Sequence, residues 1–216
     1  MAKTKNLVIT VGRQYGSGGR TLGKCIAQKL GLKYYDKELL VEAAKQAGIN
    51  EEFFEKTDER SPSFFGGIFS FAQGLKPMAY YSGNSAISDD NIYKAQCDFI
   101  HSLAEQGPCV IVGRTADYVL RDYPMVVNLF LHAPMEHCVK RIMERENLTA
   151  DKAQQKAERI NKLRSRYYNF YTDKTWGAAP SYHMSIDTST LSDDDIVGLV
   201  KDYITRRFGH DALPGA

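Results

Sequence analysis

Five short runs rich in β-branched, aromatic and other apolar residues are spaced along the chain. They are NLVITV (6–11), KYY (33–35), CVIVG (109–113), VVNLFLHA (126–133) and MSIDT (184–188). Segments with apolar residues three or four positions apart lie between them, as at Leu22, Ile26 and Leu30. Apolar strands that alternate with helices are typical of parallel sheets covered on both faces. The pattern therefore predicts a doubly wound, three-layer α/β fold.

Several helix ends carry their own signals. Ser88 is a candidate N-cap for the helix that ends at Gly107. Ser192, with Asp195 three residues on, predicts a capping box that opens the last helix, and Gly209 is expected to close that helix. Residues 147–171 are polar with a helical period, and they predict one long helix or a helix pair.

One region does not fit the alternation of strands and helices. Residues 61–87 are rich in aromatic residues, Gly and Pro without a clean period. They indicate a substrate-side insertion or a partner surface, including a homodimer surface around Phe64, Phe65, Phe69 and Phe71. A packed irregular loop explains them equally well.

Composition narrows the class of protein. The 28 basic and 26 acidic residues give a net charge of +2, too balanced to predict a nucleic-acid polymer as partner. The four cysteines are far apart without metal-ligand spacing, and the five histidines show none either, so we expect buried, reduced thiols and no zinc site. No apolar stretch has the length of a signal peptide or a membrane span, which predicts a soluble, cytoplasmic protein.

The stretch VGRQYGSGGRT, residues 11–21, stands between the first predicted strand and the first helix. Gly16, Gly18 and Gly19 allow close backbone approach, while Ser17 and Thr21 offer hydroxyls to a phosphate or a magnesium ion. The unpaired amides of a helix start favour anions, so the stretch predicts a phosphate site. The alternative is a tight turn that binds nothing. The lysine of the usual phosphate loop is absent.

These residues resemble a known family. GSGGRTLGKCIAQKLGLKYYD resembles the loop, helix and Asp of cytidylate kinases, and the whole chain resembles the cytidylate kinase-like family of P-loop proteins. In that register Gly19 stands at the lysine position, and the family's variant loop is matched by Arg13 and Arg20. The resemblance implies that residues Gly16 to Thr21 hold ATP, with Thr21 or Ser17 beside Mg²⁺. Arginine can grip two phosphate oxygens, so Arg13 or Arg20 is expected to replace the lysine charge.

The resemblance extends to the acceptor side. Asp36 matches the Asp beside the monophosphate region, although it also suits the N-cap of a helix starting at Lys37. CVIVGRTADYVLRDYPMVVNLFLHAP is similar to the segment that carries the nucleotide-facing arginine, here Arg114, just past a buried strand where open sheets bind ligands. A surface ion pair is the alternative for Arg114. Val112 and Thr115 stand where the family has acidic residues.

The segment RINKLRSRYYNFYTDKTWG resembles the arginine-bearing lid of nucleoside monophosphate kinases. Arg164 fits the lid arginine, with Arg159 and Arg166 as helpers, and Asn161 stands where the lid Asp is expected. Arg141 lies one helical turn before Arg145, and this pair predicts either a phosphate contact or a solvated face.

We therefore expect one P-loop kinase-like domain over residues 1–216. It has an insertion at about 50–90, a helical lid at about 147–180 and a disordered tail at about 210–216. The resemblance implies transfer of the γ-phosphoryl of ATP, with Mg²⁺, to a nucleoside monophosphate such as cytidylate. A kinase for another small metabolite and a nucleotide-binding regulatory module without transfer are the alternatives.

Overall fold

A sheet of five parallel strands forms the middle layer of the fold. The computed structural model describes residues 6–46 and 89–214. The strands are β1 (Val8–Arg13), β2 (Lys33–Tyr35), β3 (Cys109–Val112), β4 (Val126–His132) and β5 (Met184–Asp187). They lie in the order β2-β3-β1-β4-β5, with β1 in the centre. All five predicted strands are confirmed.

Seven helices cover the sheet within the described ranges. They are α1 (Gly19–Lys29), α2 (Lys37–Gln46), α3 (Asp89–Gln106), α4 (Ala116–Val119), α5 (Met135–Glu146), α6 (Ala150–Tyr171) and α7 (Asp193–Phe208). The polar segment is one continuous helix, α6, rather than a helix pair. Ser192 and Asp195 form the predicted capping box of α7, and Gly209 follows its last residue. Ser88, the proposed cap of α3, lies outside the described residues.

The side chains of β1 alternate between two cores, which explains the three layers. Leu7, Ile9 and Val11 pack with residues of α1 and α7 on one face of the sheet. Val8 packs with residues of α3 and α4 on the other face. Because the strands are parallel, their carboxyl ends share one edge, where the loops after β1, β2 and β3 meet.

Two expectations, on the tail and on the cysteines, are modified by the structure. His210–Ala212 form a 3₁₀ helix and Leu213 packs into the core, so the tail is ordered through residue 214 because that leucine buries its side chain. Cys109 and Cys138 are buried, whereas Cys25 and Cys97 are partly exposed. The aromatic stretch 61–87 and most of the expected insertion lie outside the described residues. In the described ranges, no helix combines the length and hydrophobicity needed to cross a membrane.

Candidate active site

The glycine loop, residues 14–18 between β1 and α1, is held tightly against α5. Gly16 and Gly18 have φ angles of 85° and 79°, in the left-handed region that favours glycine. A Cβ atom on Gly16 would lie 2.8 Å from the carbonyl oxygen of Cys138 and 2.9 Å from Cδ1 of Ile142. Glycine at position 16 is therefore required by the backbone conformation and by the packing on α5.

The two hydroxyls of the loop region face different directions. Ser17 is fully buried, and its Oγ donates to the carbonyl of Gln14 at 2.9 Å and accepts from the amide of Gly19 at 3.3 Å. Its hydroxyl braces the loop instead of facing a ligand. Thr21 is exposed and lines the cleft over the loop. Of the two residues expected beside magnesium, Thr21 lines this cleft and Ser17 does not.

Arg141 supports the loop from behind. Its Nη1 donates to the carbonyl of Ser17 at 2.9 Å and to Oγ1 of Thr188 at 3.0 Å, and its Nη2 donates to the carbonyl of Thr188 at 2.8 Å. Thr188 itself donates to the Ser17 carbonyl at 2.6 Å. These contacts occupy the guanidinium that we expected to bind substrate, so Arg141 positions the loop. Sequence reasoning did not single out Thr188.

A cleft of about 860 Å³ lies over the glycine loop, and we call it the loop cleft. This volume is in the range of small-molecule sites. The residues that line it include Gly16, Gly18, Gly19, Arg20, Thr21, Lys24, Asp36, Glu38 and Arg145. Because the first-turn amides of α1 have no intrahelical partners, the cleft offers an electropositive floor.

Arg20 and Asp36 form a charged pair at the β2 side of the loop cleft. Nε of Arg20 donates to Asp36 at 2.8 Å, and its Nη2 donates to Glu38 at 2.6 Å. The other oxygen of Asp36 accepts the amide of Leu39 at 3.2 Å, which is the N-cap contact expected for α2. Burial raises the pKa of Asp36, but the Leu39 amide and the Arg20 guanidinium outweigh it, and the net pKa is lowered.

A second, smaller cavity of about 40 Å³ lies between the strand ends and α6, and we call it the arginine cavity. Arg13, Arg114 and Arg164 all line it, and Arg13 and Arg164 also line the loop cleft. Arg114 is only 5% exposed, which is not the surface position of an ordinary ion pair. The two spaces are thus joined by two shared arginines.

Asp117 is a buried acid in the arginine cavity that sequence reasoning missed. It is 6% exposed, and its Oδ2 accepts a hydrogen bond from the hydroxyl of Tyr168 at 2.6 Å. Burial raises the pKa of Asp117, although the Tyr168 hydroxyl acts in the opposite direction. Its position depends on the left-handed backbone of Arg114 and Thr115 before α4 and on the contact with Tyr168, which local sequence patterns do not reveal.

Helix α6, which we expected to form the lid and call the lid helix, reaches both the glycine loop and the arginine cavity. Oδ1 of Asn161 accepts the amide of Tyr15 at 2.7 Å, and Nη1 of Arg164 donates to the carbonyl of Arg13 at 3.3 Å. Arg159 and Arg166 are exposed and line neither space. Only Arg164 of the three predicted lid arginines therefore lies at the site.

Aromatic residues close the cavity on the side of the lid helix. Tyr168, Tyr182 and Phe130 form one buried cluster, and Trp176 packs against it. The Phe130 ring lies 5.2 Å from that of Trp176, in an edge-to-face arrangement, and 4.9 Å from that of Tyr182. The cluster packs Tyr168 of α6 together with Phe130 of β4.

The order of the strands and the position of the loop define the class of protein. A central β1 followed by a glycine loop and helix, with arginines around it, is the architecture of P-loop kinases. A shikimate kinase from Acinetobacter baumannii shares this fold with a TM-score of 0.50, at 15% identity over 95% of this chain and 97% of that one. A structure titled uncharacterized protein from Eubacterium ventriosum is more similar, with a TM-score of 0.70 and 27% identity over 94% of this chain and 100% of that one.

The sequence comparisons specify the family. The model of the cytidylate kinase-like family matches residues 8–190, and the chain belongs to that family. A cytidylate kinase of Pyrococcus horikoshii is 30% identical over 93% of this chain and 89% of that protein. A cytidylate kinase of Methanopyrus kandleri is 24% identical over 91% of this chain and 92% of that protein. Family and fold together identify a nucleotide or small-molecule kinase.

Proposed function

We propose that this protein transfers the γ-phosphoryl group of ATP to a nucleoside monophosphate, with cytidylate as the first candidate. The observation that supports it most is the convergence of Arg13, Arg114 and Arg164 on one cavity that adjoins the loop cleft. A phosphoryl transfer needs positive charge where donor and acceptor phosphates meet. The names of the curated relatives supply the cytidylate candidate.

The donor side of the proposal rests on the loop cleft. The amides at the start of α1 and the residues Gly16, Gly18 and Gly19 would hold the triphosphate of ATP. Thr21 would contribute its hydroxyl to Mg²⁺, which fits an ion that takes few protein oxygens and otherwise binds phosphates and water. When bound, the ion would neutralise phosphate charge during transfer. Among the described residues, no group of three His, Cys, Asp or Glu side chains could hold a metal ion. Thr21 and the phosphates of the substrate would therefore bind the ion together.

The acceptor side rests on the arginine cavity. Arg114 would bind the acceptor phosphate, and Arg164 would stabilise the transferring group between the two spaces. An acceptor phosphate oxygen bonds to the γ-phosphorus while the bond to the β-γ bridging oxygen breaks, and ADP leaves with the electron pair. The cavity of about 40 Å³ holds only a few water molecules, so the lid helix has to move outward to admit an acceptor.

A kinase for a hydroxyl-bearing metabolite is the second candidate, and Asp117 favours it. A nucleoside monophosphate acceptor reacts through an ionised phosphate and needs no base. An alcohol acceptor must lose a proton, and a buried carboxylate with a raised pKa is suited to accept it. Asp117 lies in the same cavity as Arg114 and Arg164, within reach of a small acceptor.

An acceptor panel separates these candidates. Purified protein is incubated with ATP and Mg²⁺, and ADP formation is measured with CMP, dCMP, UMP, AMP and GMP, and with small sugars and hydroxy acids. We expect ADP to appear with a monophosphate, together with an equal amount of the nucleoside diphosphate, and EDTA to abolish the reaction. ADP formation with a sugar or hydroxy acid but with no monophosphate would show that the acceptor is wrong.

A further inference from the structure

The usual lysine position of the loop is physically blocked. A Cβ atom on Gly19 would lie 2.6 Å from Cβ and 3.2 Å from Cγ of Arg13, which is too close for any side chain. Gly19 is not among the glycines with positive φ, so its backbone conformation does not require glycine. The stem of Arg13 occupies the space that a side chain at position 19 would need. Glycine at position 19 is thus explained by Arg13.

A second glycine admits the charged end of Arg13. A Cβ atom on Gly113 would lie 2.2 Å from Nη1 and 3.1 Å from Cζ of Arg13, and Gly113 also has a φ of 84°. The Arg13 side chain therefore runs from the end of β1, past Gly19, to the loop that follows β3. Its guanidinium lies where the loop cleft and the arginine cavity adjoin.

The other candidate for the missing charge, Arg20, is held elsewhere. Its guanidinium pairs with Asp36 at 2.8 Å and with Glu38 at 2.6 Å, and its side chain is 63% exposed. Two neighbouring carboxylates compensate the charge of the guanidinium, which weakens its attraction for a further anion such as a phosphate. Arg20 is therefore compensated and held at the β2 side of the loop cleft.

We propose that Arg13 performs the phosphate-binding role that a lysine at position 19 performs in the usual loop, and that Gly19 and Gly113 are the complementary gaps that admit it. The proposal rests on the proposed function, because the phosphate is that of the donor. The lysine of the usual loop reaches the β and γ oxygens of the donor. Arg13 would contact the same oxygens, and because it also lines the arginine cavity, its planar fork would reach the acceptor side.

Moving the charge back to position 19 tests this inference. Arg13→Ala removes the cation but keeps the Cβ atom that lies 2.6 Å from a Cβ on Gly19, so the relocated lysine needs Arg13→Gly, the background in which Gly19→Lys becomes compatible. We expect Arg13→Ala and Arg13→Gly each to lower kcat/KM for ATP by about 10²-fold or more. Arg13→Gly with Gly19→Lys should recover at least about tenfold of the loss in Arg13→Gly, and ethylguanidinium added to Arg13→Ala should also restore turnover. Gly19→Lys alone should impair folding or ATP binding, because it collides with Arg13.

Two comparisons make the result specific. Arg20→Ala should cost at least about tenfold less than Arg13→Ala, and Arg206→Ala, an exposed arginine of α7, serves as the matched control for losing one positive charge. ATP affinity is measured alongside by calorimetry with a non-hydrolysable analogue, and folding by circular dichroism.

The outcomes separate this inference from the proposed function. If the native protein transfers phosphoryl groups and folded Arg13→Ala retains activity within about threefold, the role of Arg13 is refuted while the function stands. Failure of both the relocated lysine in a folded Arg13→Gly protein and ethylguanidinium in a folded Arg13→Ala protein to restore turnover refutes it as well. If the native protein neither binds nor hydrolyses ATP with any acceptor, both proposals fall together.

Discussion

At the residue scale, Tyr15 of the glycine loop is surrounded by charge. The Tyr15 hydroxyl donates to Glu146, and the same carboxylate accepts from Arg145 and Lys156, each at 2.6 Å. The Arg145 guanidinium also lies 5.0 Å from the centre of the Tyr15 ring, within the range of a cation-π contact. Glu146 compensates the positive charges of Arg145 and Lys156. Its hydrogen bonds connect the glycine loop to α5 and α6.

Glu146 should make stability depend on pH. Burial raises its pKa, but Lys156, Tyr15 and Arg145 together lower it to about 2. A lowered folded-state pKa means that the stabilisation is present above the unfolded value of about 4.5 and is lost as the pH falls toward 2. We expect Glu146→Gln to lower the free energy of unfolding at pH 7 by about 1–2 kcal/mol, a reduced figure because the site is partly solvated. The difference from the native protein should shrink steadily below pH 4.5.

Urea unfolding from pH 7 down to pH 2.5 measures this effect. Glu144→Gln is the matched control, since Glu144 is exposed on the same helix and lies outside the contacts of Tyr15. It should change the unfolding free energy by less than about 0.5 kcal/mol at any pH. Parallel curves for Glu146→Gln and the native protein across this range would contradict the assignment.

Sequence reasoning identified individual residues where a local rule applied. Asp36 caps α2 and Ser192 caps α7 because capping depends on neighbours in the chain. Sequence reasoning could not decide whether Arg13 or Arg20 replaces the lysine of the usual loop. The two arginines differ in their neighbours, since Asp36 and Glu38 pair with Arg20 and Gly113 adjoins Arg13. These neighbours are distant in sequence from the arginines they contact. The positions of Asp117 and Thr188 depend on long-range packing in the same way.

At the element scale, Asn161 provides a direct hydrogen bond between the lid helix and the backbone of the glycine loop. Asn161 Oδ1 accepts the Tyr15 amide at 2.7 Å, and no aspartate charge is needed for that contact. Asn161 stands where the family's lid Asp is expected, and it still provides an acceptor oxygen where the helix meets the loop. Local opening of the loop should be controlled by this hydrogen bond.

We expect Asn161→Ala to expose the Tyr15 amide to exchange. Losing a hydrogen bond of about 1 kcal/mol should speed its hydrogen exchange by about fivefold or more, while core strand amides stay unchanged. Asn161→Asp keeps the acceptor oxygen and should preserve most of the protection. Lys162→Ala, at the exposed neighbouring position of the same helix, is the control. Equal exchange of the Tyr15 amide in Asn161→Ala and Lys162→Ala would remove Asn161 from this role.

Elements were more predictable than contacts between them. The inner strands β1, β3 and β4 carry apolar runs that suffice to identify them, because a strand buried on both faces needs apolar residues at nearly every position. The sequence did not distinguish one long helix from a helix pair at α6, because exposed polar residues are compatible with a continuous helix and with a break between two helices. The order of the tail was not predicted, because Leu213 is an isolated apolar residue in a short segment, and its burial depends on the core cluster that it joins with residues of α1 and α7.

At the scale of the whole molecule, the two spaces of the site are joined by charge. Arg13 and Arg164 line both the loop cleft and the arginine cavity. A triphosphate in one space and a monophosphate in the other would repel each other, and cations shared between them offset that repulsion. The shared arginines should therefore determine how strongly donor and acceptor influence each other's binding.

This coupling can be measured directly. Calorimetry gives the affinity for a non-hydrolysable ATP analogue with and without saturating CMP. In the native protein we expect CMP to leave the affinity unchanged or to raise it, because both guanidiniums lie between the anions. In Arg164→Ala we expect CMP to weaken analogue binding by about fivefold or more, a coupling within the usual range for interacting sites. Arg206→Ala should behave as the native protein. If CMP binds and the coupling is the same in all three proteins, donor and acceptor do not communicate through Arg164, and the shared lining of the two spaces has no functional consequence.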